Sequence, residues 1–141
     1  MTTADSKSVC DLSGQLGYPM PESTVHERIS TVLDQPGHAA FVAEIEGTVV
    51  GWIHIYVSHI IESANSYVEI GGLVVDESRR GQGIGKALVK AGEGWTLQNG
   101  FNDIRLRSAI KRVEAHAFYE RLGYEMVKTQ MRFQKNLEPG A

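Results

Sequence analysis

The chain carries a single cysteine, Cys10, in 141 residues, so no internal disulfide can form. It has no apolar run approaching the roughly 20 residues of a membrane helix; the longest candidate, around Val49 to Val57, is interrupted by Gly51 and His54. An excess of one charge is also missing. With 14 basic and 17 acidic residues the net charge is −3, which supplies no pull toward phosphate backbones, so no nucleic acid and no membrane is expected as a partner. The polar opening MTTADSKSV lacks the apolar segment of a secretory signal, and together with the lone thiol this points to a cytoplasmic location. His26, His38, His54 and His59 show no metal-ligand spacing, so no metal site is expected. Repeats and low-complexity tracts are absent. What remains is an ordinary globular composition, 42% hydrophobic and 22% charged, over a length that suits one domain, 1–141.

The apolar periodicity supplies the elements. Val9, Leu12 and Leu16 recur at helical spacing until Gly17-Tyr18-Pro19 stops them. A second stripe, Val25, Ile29, Val32 and Leu33, follows Ser23 as N-cap and ends near Gln35-Pro36-Gly37. From Ala39 the period falls to two, and Phe41 to Ile45 and Val49 to Ile55 read as a hairpin around Glu46-Gly47. The β-branched run Tyr67 to Val75 reads as a buried strand whose central Gly71-Gly72 suggests a bulge. A third helix starts near Gln82 or Gly83, keeps Ile84, Leu88, Ala91 and Trp95 on one face and stops at Gly100. Ile104 to Leu106 is a strand, Val113 to Leu122 a fourth helix closed by Gly123, and Tyr124 to Gln134 a last strand or hairpin. This order predicts an α/β layered fold on a mixed sheet.

Chemistry concentrates where the third strand passes into the third helix, at Arg79-Arg80-Gly81-Gln82-Gly83-Ile84-Gly85-Lys86. Glycines at alternate positions leave main-chain N–H groups unshielded, and the helix start adds partial positive charge, so the segment can hold an anion. It is not a Walker A loop, because Arg80 and Ala87 stand where that loop needs its first glycine and its hydroxyl. Nor does it match the dinucleotide or kinase glycine loops, whose third glycine would fall at Lys86 or Leu88. Arg80 and Lys86 as fixed cations suit a diphosphate without a metal, such as that of coenzyme A.

Arg80, Gly83 and Gly85 resemble the acetyl-CoA signature, Arg/Gln-x-x-Gly-x-Gly/Ala, of the GCN5-related N-acetyltransferase (GNAT) superfamily. A second match, Ala115-His116-Ala117-Phe118-Tyr119-Glu120-Arg121-Leu122-Gly123-Tyr124, resembles the helix and exit turn that follow in that family. The resemblance implies a mostly antiparallel central sheet flanked by about four helices. The family's first strand is missing or very short here, which leaves an edge that a partner, as in a homodimer, could complete. Arg112 stands where the family helix often carries a cofactor-contacting Asn.

The resemblance also implies roles. Acetyl-CoA would bind along Leu73, Val74 and Val75 and over Arg80, Gly81, Gln82, Gly83, Ile84, Gly85 and Lys86, with Arg112 and Tyr119 as further contacts. The Val75 N–H would polarise the thioester carbonyl, and Tyr119 would act as general acid to the leaving thiolate. Phe118, Tyr119 and Leu122 also fit an ordinary core stripe. Glu69, a carboxylate inside a buried run, is the candidate base; on a solvent-facing side it would be a plain surface charge. Arg105, Arg107, Lys111 and Arg112 form a cationic group that could meet a 3′-phosphate. Trp52 and Trp95 read as core, and His116 as a helix-surface residue.

The expected activity is direct acetyl transfer, without a covalent enzyme intermediate, to a primary amine of a small molecule or peptide. Scattered acidic residues, Glu22, Glu27, Asp34, Glu44, Glu46 and Glu62, could attract a cationic acceptor such as an aminoglycoside, a polyamine or a lysine side chain. The rival readings are a non-catalytic acyl-CoA-binding module and a nucleotide-phosphate binder of another fold.

Overall fold

The computed structural model describes residues 1–139. In chain order the elements are α1 (Ser6–Gln15), α2 (Glu22–Asp34), β1 (His38–Ile45), β2 (Thr48–Ser58), β3 (Tyr67–Val75), α3 (Ile84–Gln98), β4 (Ile104–Leu106) and α4 (Val113–Arg121), with 3-10 turns at Thr3–Asp5 and Glu77–Arg79. They fall into two compact units, Met1–Arg107 and the segment from Ser108 onward.

The first unit is built on a four-stranded sheet in the order β1-β2-β3-β4. β1 with β2 and β2 with β3 are antiparallel, whereas β3 and β4 are parallel, so the sheet is mixed as expected. The hairpin turns at Glu46 and Gly47, both at positive φ (49° and 79°), the combination whose twist matches paired strands. Alternation along β2 then assigns its two faces. Ile53 and Ile55 are fully buried beneath α3, where a Cβ added to Gly92 would lie 3.3 Å from Ile53 Cδ1. Gly92 therefore costs helix propensity but lets α3 approach the sheet closely. On the other face Trp52 packs against Val9, Val25 and Ile29 of α1 and α2.

Three helix ends use one device. Gly17, Gly100 and Gly123 adopt positive φ (98°, 85° and 92°), and the amides of Tyr18, Phe101 and Tyr124 return to the carbonyls of Ser13, Thr96 and Tyr119. These are Schellman caps, which need a left-handed residue that glycine adopts without penalty.

Two expectations are corrected. Pro21, not Ser23, caps α2; Pro21 is extended and its carbonyl accepts from the amides of Thr24 and Val25, which puts Ser23 inside the first turn. The closing strand expected over Tyr124 to Gln134 is not formed among the described residues, and Met126, Val127, Met131 and Phe133 are exposed. Alternating apolar residues favour extension, but a strand exists only where another edge accepts its hydrogen bonds. Among the described residues no strand precedes α1, and β1 is an edge of the sheet, its Ala40 carbonyl accepting from the Met1 ammonium at 3.3 Å.

Candidate active site

The register of β2 against β3 slips between His54 and Ile55, pairing His54 with Gly72 and Ile55 with Ile70 and leaving Gly71 as the bulged residue. The two glycines are there for space. A Cβ on Gly72 would sit 2.8 Å from Trp52 Cη2, and one on Gly71 would sit 3.0 Å from His54 Nδ1. Past the bulge β3 loses its outer neighbour, because β4 pairs only with Val68 to Ile70. The Asp76 amide donates to Val50 O at 2.8 Å, which makes Gly51 and Val75 a non-hydrogen-bonded pair. By the same alternation Leu73 and Val75 turn their N–H and C=O groups away from β2, while those of Val74 face it. The strand thus presents an open edge of main-chain donors and acceptors.

That edge runs directly into the glycine loop. Asp76 opens the loop by accepting from the Ser78 amide at 3.2 Å, which holds its carboxyl below the usual range. Gly81 and Gly83 then take φ of 80° and 83°, a conformation that would strain any other residue. Helix α3 begins at Ile84, with Gly83 as its cap and Ala87 N–H donating to Gly83 O as the first helical bond. The amides of Gly83, Ile84, Gly85 and Lys86 precede that bond and donate to no backbone carbonyl among the described residues. Four donors lie at the positive end of a helix of 15 residues, with Arg80 in the preceding loop and Lys86 in the first turn of α3.

On the α1/α2 face of the sheet, polar side chains form a row across three strands. Glu69 on β3 is only 7% exposed. Its Oε2 accepts from the Tyr56 hydroxyl at 3.0 Å and its Oε1 meets Arg107 Nε at 3.3 Å. Burial and then the bond to Glu69 push the Tyr56 hydroxyl upward, so it remains a donor. Beside it, His54 Nε2 lies 3.0 Å from His38 Nδ1, and the His38 ring stacks on both His54 and Tyr56 with centroids 5.3 Å apart. Burial, helped by the neighbouring His38, lowers the pKa of His54 to about 4, so its imidazole is neutral near pH 7. Residue spacing gave no sign of this row, since neighbours across a sheet follow from register.

The cationic group read from sequence is partly spent on internal contacts. Arg105 pairs with Asp103 at 2.8 Å and lies over the Tyr67 ring at 3.8 Å, and Arg107 serves Glu69. Among the described residues no cluster of His, Cys, Asp or Glu could hold a metal ion.

In the second unit, Arg112 occupies the N-cap position of α4 and is exposed. Tyr119 lies in the last turns of that helix, edge-on to Phe118 and Tyr124 at centroid distances of 5.0 and 5.7 Å. Burial raises its pKa, with Arg112 opposing in part, so the phenol holds its proton at neutral pH and is equipped to donate it. His116 Nε2 is 2.8 Å from the carbonyl of Ala109, in the segment that precedes α4.

These features match known proteins. The model of the acetyltransferase (GNAT) family matches residues 9–124. An aminoalkylphosphonate N-acetyltransferase of Salmonella typhimurium is 34% identical over 141 residues, covering 96% of this chain and 88% of that protein. An aminoglycoside N(6')-acetyltransferase type 1 of Stenotrophomonas maltophilia is 26% identical over 144 residues, covering 99% and 93%. Among solved structures, the aminoglycoside N-acetyltransferase AAC(6')-Iy in complex with CoA superposes with a TM-score of 0.86 at 18% identity, covering 97% of this chain and 92% of that one. No helix among the described residues is long and apolar enough to cross a membrane. With the family model spanning strand, loop and α4 alike, the chain belongs to the acetyltransferase (GNAT) family and is an N-acetyltransferase.

Proposed function

We propose that this protein transfers an acetyl group from acetyl-CoA directly to a primary amine of a small molecule, in a ternary complex. The observation that carries this reading is the continuity of two unpaired main-chain surfaces: the outer edge of β3 at Leu73 and Val75, and the amides from Gly83 to Lys86. The first suits the amide-bearing pantetheine arm as a pseudo-strand, and the second suits the diphosphate. Bound there, the cofactor would supply an activated thioester. Coenzyme A in the AAC(6')-Iy complex supports the choice of carrier. The names of the amine acetyltransferases among the relatives support the choice of acceptor.

The chain's own residues then divide the work. Amides of Gly81 to Lys86 and the Arg80 guanidinium hold the diphosphate charge. The Val75 N–H donates to the carbonyl oxygen as negative charge develops on it, a contribution of the oxyanion-hole kind. Glu69 takes the acceptor's ammonium proton, directly or through water, while Tyr56 and Arg107 fix its orientation. Tyr119, kept protonated by burial, returns a proton to the departing thiolate. Cys10 lies in α1, outside the loop and outside α4, and takes no part, in keeping with direct transfer rather than an acyl-cysteine route. The family match runs through both compact units, which supports one domain over 1–141.

Free-thiol release from acetyl-CoA in the presence of a panel of amines tests the proposal. Tyr119→Phe and Glu69→Gln should each slow turnover by about 10²-fold or more, with coenzyme A affinity unchanged by calorimetry in Glu69→Gln. A protein that binds coenzyme A but releases no thiol with any amine would instead be the acyl-CoA-binding module. If ATP or NAD stabilised the fold more than coenzyme A, the cofactor assignment would be wrong.

A further inference from the structure

The α1/α2 face of the sheet contains a cavity of about 160 Å³. Its walls are largely aliphatic, with Val9, Val25, Ile29 and Ala40 among them, and its sheet side is made by Trp52 and His54. Those two rings are the same ones that abut Gly72 and Gly71, so the cavity borders the bulge where β3 opens. A roomier depression of about 310 Å³, lined by His59, Trp95 and Asn99, lies at the far end of α3 from the glycine loop and away from this chemistry.

The chemistry of the walls discriminates among amines. No carboxylate lines the cavity, and its one formally charged side chain is a cation, Arg28. Arg28 is exposed and makes no ion pair among the described residues. The Trp52 indole N–H is buried without a hydrogen-bond partner, a donor left for an oxygen. Transfer of a second or third ammonium from water into such a lining would be unfavourable. An aliphatic body gains from the same walls. The volume compares with the cavity of about 150 Å³ that takes up benzene in an engineered protein, which leaves room for about six carbons and not for a trisaccharide.

We infer that the cavity is the acceptor pocket and that the acceptor is a small amine with a compact apolar body and a carboxylate, of the hydrophobic amino-acid type, rather than a polycation. The inference rests on the transferase reading given above. The carboxylate meets Arg28, the apolar body fills the space against Val25 and Ile29, and the amine is directed past His54 toward the bulge.

Thiol release at saturating acetyl-CoA, with L-leucine, L-methionine, L-leucinamide, spermidine and kanamycin compared by kcat/KM, tests this. L-leucine or L-methionine is expected to lead, L-leucinamide to fall at least tenfold below L-leucine, and spermidine and kanamycin to fall further. Arg28→Gln, an exposed change that leaves the core intact, should raise KM for L-leucine about tenfold and leave KM for L-leucinamide unaltered. Kanamycin or spermidine matching L-leucine, or an Arg28→Gln effect equal for both leucine compounds, overturns the acceptor class while the transferase reading survives. Coenzyme A stabilisation without turnover of either amino acid overturns it as well. If coenzyme A fails to stabilise the fold at all, both readings fall together.

Discussion

The His38–His54 pair makes stability depend on pH in a way that can be isolated. His54 is partly buried, and protonating it would set a cation against the His38 ring 3.0 Å away, within a group that includes Tyr56 and, through it, Glu69 and Arg107. The folded state therefore binds the proton with a pKa of about 4, against 6.5 for the free side chain. Because the folded value is the lower one, the unfolded chain binds more protons between the two values. Stability from this group is complete above pH 6.5, is lost as pH falls toward 4, and is constant below that. Fully expressed, the gap is worth roughly 3 kcal/mol; with the ring still partly in contact with solvent, about 1–2 kcal/mol is the better figure. Urea unfolding of the native protein and of His54→Gln at pH 7.5 and pH 4.5 reads it as a double difference, which cancels the acid titration of unrelated carboxylates. The variant should recover about 1–2 kcal/mol relative to the native protein at the lower pH. A native-state histidine titration followed by NMR supplies a check without mutation. A His54 midpoint near 6.5, or a double difference of zero, would refute the argument.

Other consequences are local. Gly83→Ala forces a side chain into φ +83° and should cost about 1–2 kcal/mol, with a matching loss of coenzyme A affinity by calorimetry. Gly72→Ala drives a methyl group to 2.8 Å from the Trp52 ring; overpacking of about 1–3 kcal/mol and altered Trp52 fluorescence should follow. Ile53→Ala empties a fully buried site under α3 and should lower unfolding stability by about 2–5 kcal/mol; a smaller loss in urea would mean that α3 settles into the space.

The amount read correctly from sequence differs between elements for a physical reason. Helix ends at Gly17, Gly100 and Gly123 were legible because a left-handed cap is a property of one residue and its neighbours. The loop from Arg80 to Lys86 was legible for the same reason: unshielded amides and a helix start are local features. At the start of α2 the hydroxyl of Ser23 pointed to that residue as the cap, whereas the extended conformation of Pro21, two residues earlier, sets the cap without a side-chain bond. Over Tyr124 to Gln134 alternation was a necessary condition for a strand but not a sufficient one, since pairing requires a second edge.

The chain's one-dimensional pattern by itself determined the types of the elements from α1 to α4, the hairpin, the bulge glycines and the glycine corner that opens α3, each set by interactions within a few residues. Tertiary structure alone decided that Tyr56 reaches Glu69, that Arg107 completes that pair, and that His38 meets His54. It also decided that Trp52 and His54 stand between an apolar cavity and the open strand. Those contacts depend on strand register, and a shift of one residue in a strand would send that strand's side chains to the opposite face.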